Sequence, residues 1–404
     1  MRNRISVMIL LLLCCIFVSG SLQAQAREAG GAEQIPMRGV WVGTVNHIDY
    51  PSIPTKDSKI LKREIDTVIK NCKAEGFNAI FLQVRPDSDA IYPSEVYPWS
   101  AYLTGVQGLA PIDGFDPLAY WVQQAHANEM QLHAWINPYR ITTNGVEEWN
   151  ALSQQNPAKL HPDWVIQYSN QNFYYNPALP EVRALIEAGV MEIVHNYDVD
   201  GIHMDDYFYP GKDFPDQAYY MALNQGQFST IEDWRRNNVN ILIQEIDQQV
   251  HEVRADIQWG ISPSGVWENQ SANPLGSDTQ GGNPSYSKLY ADTRLWALSG
   301  WIDYIAPQIY WNIGHDKADY TKLVNWWSDT LKDSPTKLYI GLADYKAYQV
   351  KPGNVWYGGT ELCRQMKLNQ DNEKVAGEIH FRYQLIMSDP MIKRVISDTY
   401  TKEK

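Results

Sequence analysis

Two hydrophobic habits alternate along this chain. Short runs that are almost continuously apolar or β-branched give way to longer stretches with apolar residues three and four apart. The first run, 38–44, reads as a strand. It is followed over 59–75 by an amphipathic helix with Ile60, Ile65, Val68, Ile69 and Cys72 on one face. The same pairing recurs as strand 78–84 with helix 117–128, strand 131–136 with helix 180–196, and strand 201–204 with helix 231–254. It continues as strand 257–262 with helix 286–298, 304–310 with 319–331, 337–342 with 360–369, and 377–383 with 390–400. Strands this uniformly apolar are covered on both faces. Eight of them alternating with eight helices predict an α/β fold, a (β/α)8 TIM barrel, with an open doubly wound sheet as the rival.

The connections are lopsided. Helix-to-strand links, such as 75–78, 128–131 and 254–257, are a few residues long, whereas strand-to-helix links at 85–116, 137–179, 207–230 and 263–285 are long. In a barrel all the long ones emerge at the C-terminal face, which makes that face the working one. There is no internal repeat and no linker, so residues 27–404 read as one barrel domain with insertions. A small subdomain within 85–116 or 137–179 is compatible with that reading.

The first 26 residues stand apart. Arg2 and Arg4 precede an apolar run from Ile5 to Val18, then small residues leading to Ala24 and Ala26. That is the grammar of a cleaved secretory signal peptide, and it predicts an exported, periplasmic or extracellular protein. A lipid anchor at Cys14 or Cys15 is the lesser alternative, because Leu11-Leu12-Leu13 lacks the small residue such processing wants. No later run is long enough to span a membrane. The formal charge of −13 becomes −15 once Arg2 and Arg4 leave with the leader. Such a surface repels polyanions and argues against nucleic-acid partners and against a polybasic hold on a membrane. Cys72 and Cys363, both in helices and far apart in the chain, read as two buried thiols.

Aromatic content is high, with 15 Trp and 25 Tyr, and many of these rings fall at strand ends or in the long loops. Trp135, Tyr139, Trp267, Tyr310 and Trp311 are examples. Flat rings with polar rims suit the C–H face of a sugar. Among them the strand ends place acids and amides. Strand one brings Trp41, strand two Arg85 and Asp89, strand three Trp135, Asn137 and Arg140. Strand four brings His203, Asp205, Asp206 and Tyr207, and strand six Gln308, Tyr310 and Trp311. No Gly-rich phosphate loop or serine nucleophile elbow is present, so no nucleotide cofactor is implied. A metal set drawn from His126, His133, His203 and Asp205 fails on position: His126 is in a helix and His133 in mid-strand. No metal or other cofactor is expected.

Acids among rings fit glycosidic hydrolysis, which needs one carboxyl to protonate the leaving oxygen and a second to attack or to activate water. Asp205 continues the inward alternation of strand four and is the central carboxylate. Asp206 would turn the other way or begin the loop, in an orienting role. Asp89 is the first choice for the second carboxyl, with Glu95, Glu268 and Asp344 as alternatives. Trp41, Arg85, Trp135, Asn137, Arg140, His203, Tyr207, Trp267, Gln308, Tyr310 and Trp311 are the candidate substrate-binding residues. Arg85 and Arg140 suit a carboxylated or acetylated sugar.

The blocks Arg38-Gly-Val-Trp-Val, Gln83-Val-Arg-Pro, Asp89-Ala-Ile-Tyr92, His133-Ala-Trp-Ile-Asn-Pro-Tyr-Arg140, Asp200-Gly-Ile-His-Met-Asp-Asp-Tyr-Phe-Tyr-Pro210, Gly260-Ile-Ser-Pro263 and Asp303-Tyr-Ile-Ala-Pro-Gln-Ile-Tyr-Trp311 resemble, in order, the glycosyl hydrolase-like family ten. The resemblance implies an exported TIM-barrel glycoside hydrolase of the cell envelope, acting on an amino-sugar polymer, with peptidoglycan glycan strands the favoured substrate. The strand-four run is also similar to the chitinase signature Asp-Gly-x-Asp-x-Asp-x-Glu. It departs from that signature at His203 and at Tyr207, which occupies the place of the chitinase acid, and this speaks against a chitinase-type substrate-assisted mechanism. Two rival readings carry different tests: a carbohydrate-binding envelope protein without turnover, and a metal-dependent polysaccharide deacetylase.

Overall fold

The computed structural model describes residues 35–401. Its eight barrel strands, numbered in chain order, are β1 (Met37–Val42), β2 (Ala79–Arg85), β3 (Gln131–Ile136), β4 (Gly201–Met204), β5 (Gln258–Ile261), β6 (Tyr304–Ile305), β7 (Lys337–Leu342) and β8 (Val375–His380). Each pairs in parallel with its sequence neighbours, and β8 returns to β1, so the barrel is closed and the open-sheet alternative falls. The leader expected at residues 1–26, with Cys14 and Cys15, lies outside the described residues. From Met37 on, the described chain clusters as one unit.

Period-two alternation sorts the side chains into two cores. Val40, Val42, Ile80, Leu82 and Val84 face outward and pack under the helices. Trp41, Phe81, Trp135, Tyr304 and Tyr339 face inward and fill the barrel. Room for such large rings comes from glycine. A methyl group on Gly260 would overlap the Tyr304 ring, and one on Gly201 would overlap His133. In-register pairing of Trp135 with His203, His203 with Gly260, and Gly260 with Tyr304 brings these residues to one level.

Five of the eight main helices begin where a side-chain oxygen takes a free backbone N–H. Asp57 accepts from Lys59 and Ile60 at the head of α1 (Ser58–Ala74), and Asp116 from Ala119 at α2 (Pro117–Ala127). After α3 (Pro180–Asn196), Thr230 caps α4 (Ile231–Val253), Asp292 caps α5 (Thr293–Ser299) and Asp319 caps α6 (Tyr320–Leu331). Helices α7 (Thr360–Gln370) and α8 (Pro390–Thr401) complete the outer ring.

Three expectations are corrected. Strand six, expected over 304–310, stops at Ile305, because Pro307 has no N–H to give the ladder; Gln308 then regains isolated bridges to Ser264 and Gly341. The helix expected over 286–298 is two pieces, Ser285–Lys288 and α5, separated where Tyr290 takes a positive φ of 52°. Cys72 is buried, but Cys363 is exposed, on the outer side of α7. The loop after β3 carries a two-stranded hairpin, Val165–Gln167 with Phe173–Tyr175. It folds back so that Tyr174 bridges Arg140 and Ile141 donates to the Phe173 carbonyl at 3.0 Å.

Candidate active site

At the C-terminal face the barrel opens into a hollow of about 300 Å³. Its walls include Trp41, Trp135, Arg140, Asp205, Asp206, Tyr207, Gln308 and Tyr310 from the residues singled out in the sequence. Asp205 leaves β4 directly and is buried, with 4% of its surface exposed. Its carboxylate meets only donors: Trp135 Nε1 gives to Oδ2 at 3.0 Å, Asn137 Nδ2 to Oδ2 at 2.6 Å, and the Tyr207 backbone N–H to Oδ1 at 3.1 Å.

That polarity is set from a distance. The backbone N–H groups of Thr44 and Val45 both give to Gln83 Oε1, at 2.9 and 3.0 Å, which orients the Gln83 amide. Gln83 Nε2 then gives to Asn137 Oδ1 at 2.6 Å, leaving the Asn137 amide N–H to point at Asp205. Fixed donors favour the ionised form of a carboxyl group. Against them, burial and the neighbouring charge of Asp206 push Asp205 up to about 7. Asp206 is raised too, chiefly by burial, and its contact within the hollow is Gln308 Nε2 at 3.3 Å. Both neighbouring carboxyls are therefore raised, and the three donors trained on Asp205 favour negative charge there over charge on Asp206.

Arg140 completes this wall. It pairs with buried Asp87 at 2.7 Å and lies 4.8 Å from the Tyr207 ring centre. Beneath the floor runs a directed chain of hydrogen bonds. Indole Nε1 of Trp41 can only donate, so His203 Nε2, 3.2 Å away, accepts. His203 Nδ1–H therefore gives to the Tyr304 hydroxyl at 3.0 Å, and Tyr304 gives to His133 Nδ1 at 3.1 Å. Burial holds both imidazoles neutral, His133 down to about 3 and His203 well below its usual value.

The remaining sequence candidates lie elsewhere. Asn137 is fully buried behind Asp205, and His203 is buried below the hollow; both position the groups above them. Arg85 is also buried, bonded to the Tyr97 hydroxyl and to the carbonyl of Asn137, and so braces the loop after β3. Asp89 lines a second hollow of about 280 Å³ between the loops after β2 and β3, facing Gln107, Tyr102, Glu147 and Glu148. Burial, before any other cause, pushes Asp89 up to about 6. Trp267 is spent on Asp292 at the head of α5 and on Trp326, while Trp311 accepts a bond from Gln365 at its carbonyl. Of the alternative acids, Glu95 is exposed, Glu268 accepts from the Asn269 N–H, and Asp344 pairs with buried His380 at 2.9 Å.

Gln83, Ser262, Tyr345 and Phe381 also line the main hollow and were not singled out in the sequence. Gln83 and Ser262 had a signal, since each occupies an inward position near its strand's end. Among the described residues no cluster of three or more His, Cys, Asp or Glu is placed to hold a metal ion. His126, on α2, is engaged by Asp200 at 2.9 Å.

The sequence matches the family model described as glycosyl hydrolase-like 10 over residues 36–357. The chain belongs to the glycosyl hydrolase-like 10 family. It is 45% identical to the glycosyl hydrolase YngK of Bacillus subtilis (strain 168) over 372 residues, covering 91% of this chain and 72% of that protein. To the glycosyl hydrolase DigH of Escherichia coli (strain K12) it is 38% identical over 383 residues, 90% of this chain and 86% of that one. Among solved structures, the PgaB (BpsB) glycoside hydrolase domain from Bordetella bronchiseptica superposes with a TM-score of 0.57 at 14% identity, covering 90% of this chain and 98% of that one. An endo-1,4-β-mannanase from Rhizomucor miehei gives 0.57 at 11% identity, covering 93% and 97%. These two show the shared barrel. As a member of the glycosyl hydrolase-like 10 family, the protein is a glycoside hydrolase, and a glycan is its substrate.

Proposed function

We propose that this glycoside hydrolase is exported and cleaves an amino-sugar polysaccharide, the glycan strands of peptidoglycan, with Asp205 and Asp206 as its catalytic carboxyls. The observation that carries the reading is the pair of carboxyl groups at the end of β4 in a hollow walled by rings. Trp41, Trp135, Tyr310 and Phe381 line the hollow, and aromatic walls suit the C–H face of a pyranose. Arg140 adds a cation suited to a sugar that bears a carboxylate, such as a lactyl-substituted amino sugar. Export is supported by the leader grammar of residues 1–26.

The test is release of reducing ends from purified peptidoglycan, with and without chelator. Asp205→Asn should lower the rate by about 10²–10⁴-fold while glycan binding, followed by pull-down on insoluble peptidoglycan, persists. Unchanged release in this variant would remove Asp205 from the chemistry. Release of acetate without new reducing ends, abolished by chelator, would instead favour a metal-dependent deacetylase. Export is checked by N-terminal sequencing of the protein recovered outside the cytoplasm, where the chain should begin after Ala24 or Ala26.

A further inference from the structure

Hydrolysis with an enzyme nucleophile, or with an enzyme base acting on water, places the two carboxyls on opposite faces of the sugar, with the scissile bond between them. The main hollow does not offer that. Its two acids, Asp205 and Asp206, are consecutive residues leaving one strand, so their Cα atoms are about 3.8 Å apart and both belong to one wall. Across the barrel from β4 stand β8 and its neighbours β7 and β1. What they present to the hollow is Phe381, Tyr345 and Trp41, with Tyr310 beside them, and among the described residues no other acid lines it. Asp89 opens into the second hollow, and Glu95, Glu268 and Asp344 do not line the first. The face of the sugar away from Asp205 and Asp206 is therefore met by rings.

We infer that the missing nucleophile is carried by the substrate: the carbonyl oxygen of a 2-acetamido group on the sugar whose bond is cut. This rests on the amino-sugar reading above and specifies it, since the sugar on the non-reducing side of the cleaved bond must be N-acylated. The two carboxyls then have distinct tasks. Asp205, held by Trp135, Asn137 and Tyr207, is fixed as an acceptor and takes the acetamido N–H, raising the nucleophilicity of the carbonyl oxygen. Asp206, half-buried and bonded to Gln308, is the acid. In the first step the carbonyl oxygen bonds to C1 as the C1–O bond to the leaving sugar breaks. The Asp206 proton goes to the leaving oxygen, and the positive charge on the resulting oxazolinium ring is balanced by Asp205. In the second step Asp206 takes a proton from water, whose oxygen bonds to C1 as the ring C1–O bond breaks, restoring the acetamide. The net result is hydrolysis with retention. Tyr207 at the chitinase acid's position speaks against this route from sequence; Asp206, one residue earlier, supplies the acid that Tyr207 lacks.

The experiment uses the intact protein on peptide-free glycan strands, either fully N-acetylated or chemically N-deacetylated and re-acylated with trifluoroacetyl groups. Cleavage of the acetylated strands with retained configuration by NMR is expected. On the deacetylated strands kcat should fall by about 10²-fold or more, because an intramolecular nucleophile has been removed, and trifluoroacetyl strands should fall between the two. An N-acetylglucosamine-derived thiazoline, which imitates the cyclised intermediate, should inhibit competitively, weakly in Asp205→Asn and at near wild-type strength in Asp206→Asn. Inverted product, or a kcat insensitive to the acyl group, would overturn the inference while leaving the peptidoglycan reading intact. No cleavage of acetylated strands at all would overturn that reading and this inference with it.

Discussion

Every group facing Asp205 is a donor, and each is held in that role by something further back. This makes the pH dependence of the reaction a property of two neighbouring residues. With one proton shared between Asp205 and Asp206, activity requires the singly ionised pair. As pH rises through about 7 the remaining proton leaves and the acid is lost, so kcat/KM should fall tenfold per pH unit on the alkaline side. On the acid side it should fall once Asp205 protonates as well. Arg140 lowers both carboxyls by its charge. Arg140→Gln should therefore move the alkaline limb to higher pH, whereas Arg140→Lys, which keeps the charge, should leave it nearly in place; a limb that does not move in Arg140→Gln would uncouple Arg140 from the pair. At this scale the sequence was informative where alternation holds. It turned His203 and Asp205 inward, as they are. It could not place Asp206, because alternation lapses once the strand ends. Nor could it show that Asp89 opens into a separate hollow, since that depends on how the loops after β2 and β3 fold against each other.

Among the elements, the four strands β3 to β6 cooperate through one buried hydroxyl. Tyr304 on β6 receives from His203 on β4 and gives to His133 on β3, while Gly260 on β5 leaves space for its ring. Tyr304→Phe removes one oxygen and leaves two buried imidazole nitrogens unpartnered, which should cost about 1–3 kcal/mol in equilibrium urea unfolding. Gly260→Ala pushes a methyl group into the ring and should cost about 1–3 kcal/mol by overpacking. Because His203 also accepts from Trp41 in the hollow wall, both variants should lose activity along with stability. Unfolding midpoints identical to wild type would show that this layer bears no load. The barrel strands and the long outer helices were readable, because nearly unbroken apolar strands and 3.6-residue helices leave strong signatures, whereas the loop hairpin Val165–Gln167 with Phe173–Tyr175 and the short helix Gly145–Ala151 were not. Element ends were less readable than the elements themselves. A proline inside an apolar run cut β6 short, and a single left-handed residue, Tyr290, divided a helix whose periodicity alone looked continuous.

For the molecule as a whole, placing acids in a dry face has a price in stability that varies with pH. Asp89 is pushed up to about 6, and the coupled neighbours Asp205 and Asp206 are both raised, Asp205 to about 7, chiefly by burial. Glu187, between α3 and α4, is pushed to about 7 by burial and by the nearby Glu245. Each holds its proton more tightly in the folded chain than in the unfolded one. Its contribution to stability is thus fully present below the ordinary carboxylate range and is lost as pH rises through the folded value. The buried neutral imidazoles His133 and His203 act in the opposite sense, withdrawing stability as pH falls below about 6.5, because the unfolded chain then binds protons that they refuse. A formal charge of −13 at pH 7 adds self-repulsion that grows with pH, in step with the acids. The two trends cross on the acid side of neutrality, so scanning calorimetry should find the highest Tm at about pH 5–6 and a steady fall toward pH 8. Asp206→Asn and Asp89→Asn, which carry no proton to lose, should flatten that fall and melt above wild type at pH 8 but not at pH 4. A Tm that climbs between pH 6 and 8 in the wild-type protein would mean that these acids are ionised at no cost, and that the face in which they sit is wetter than its burial implies.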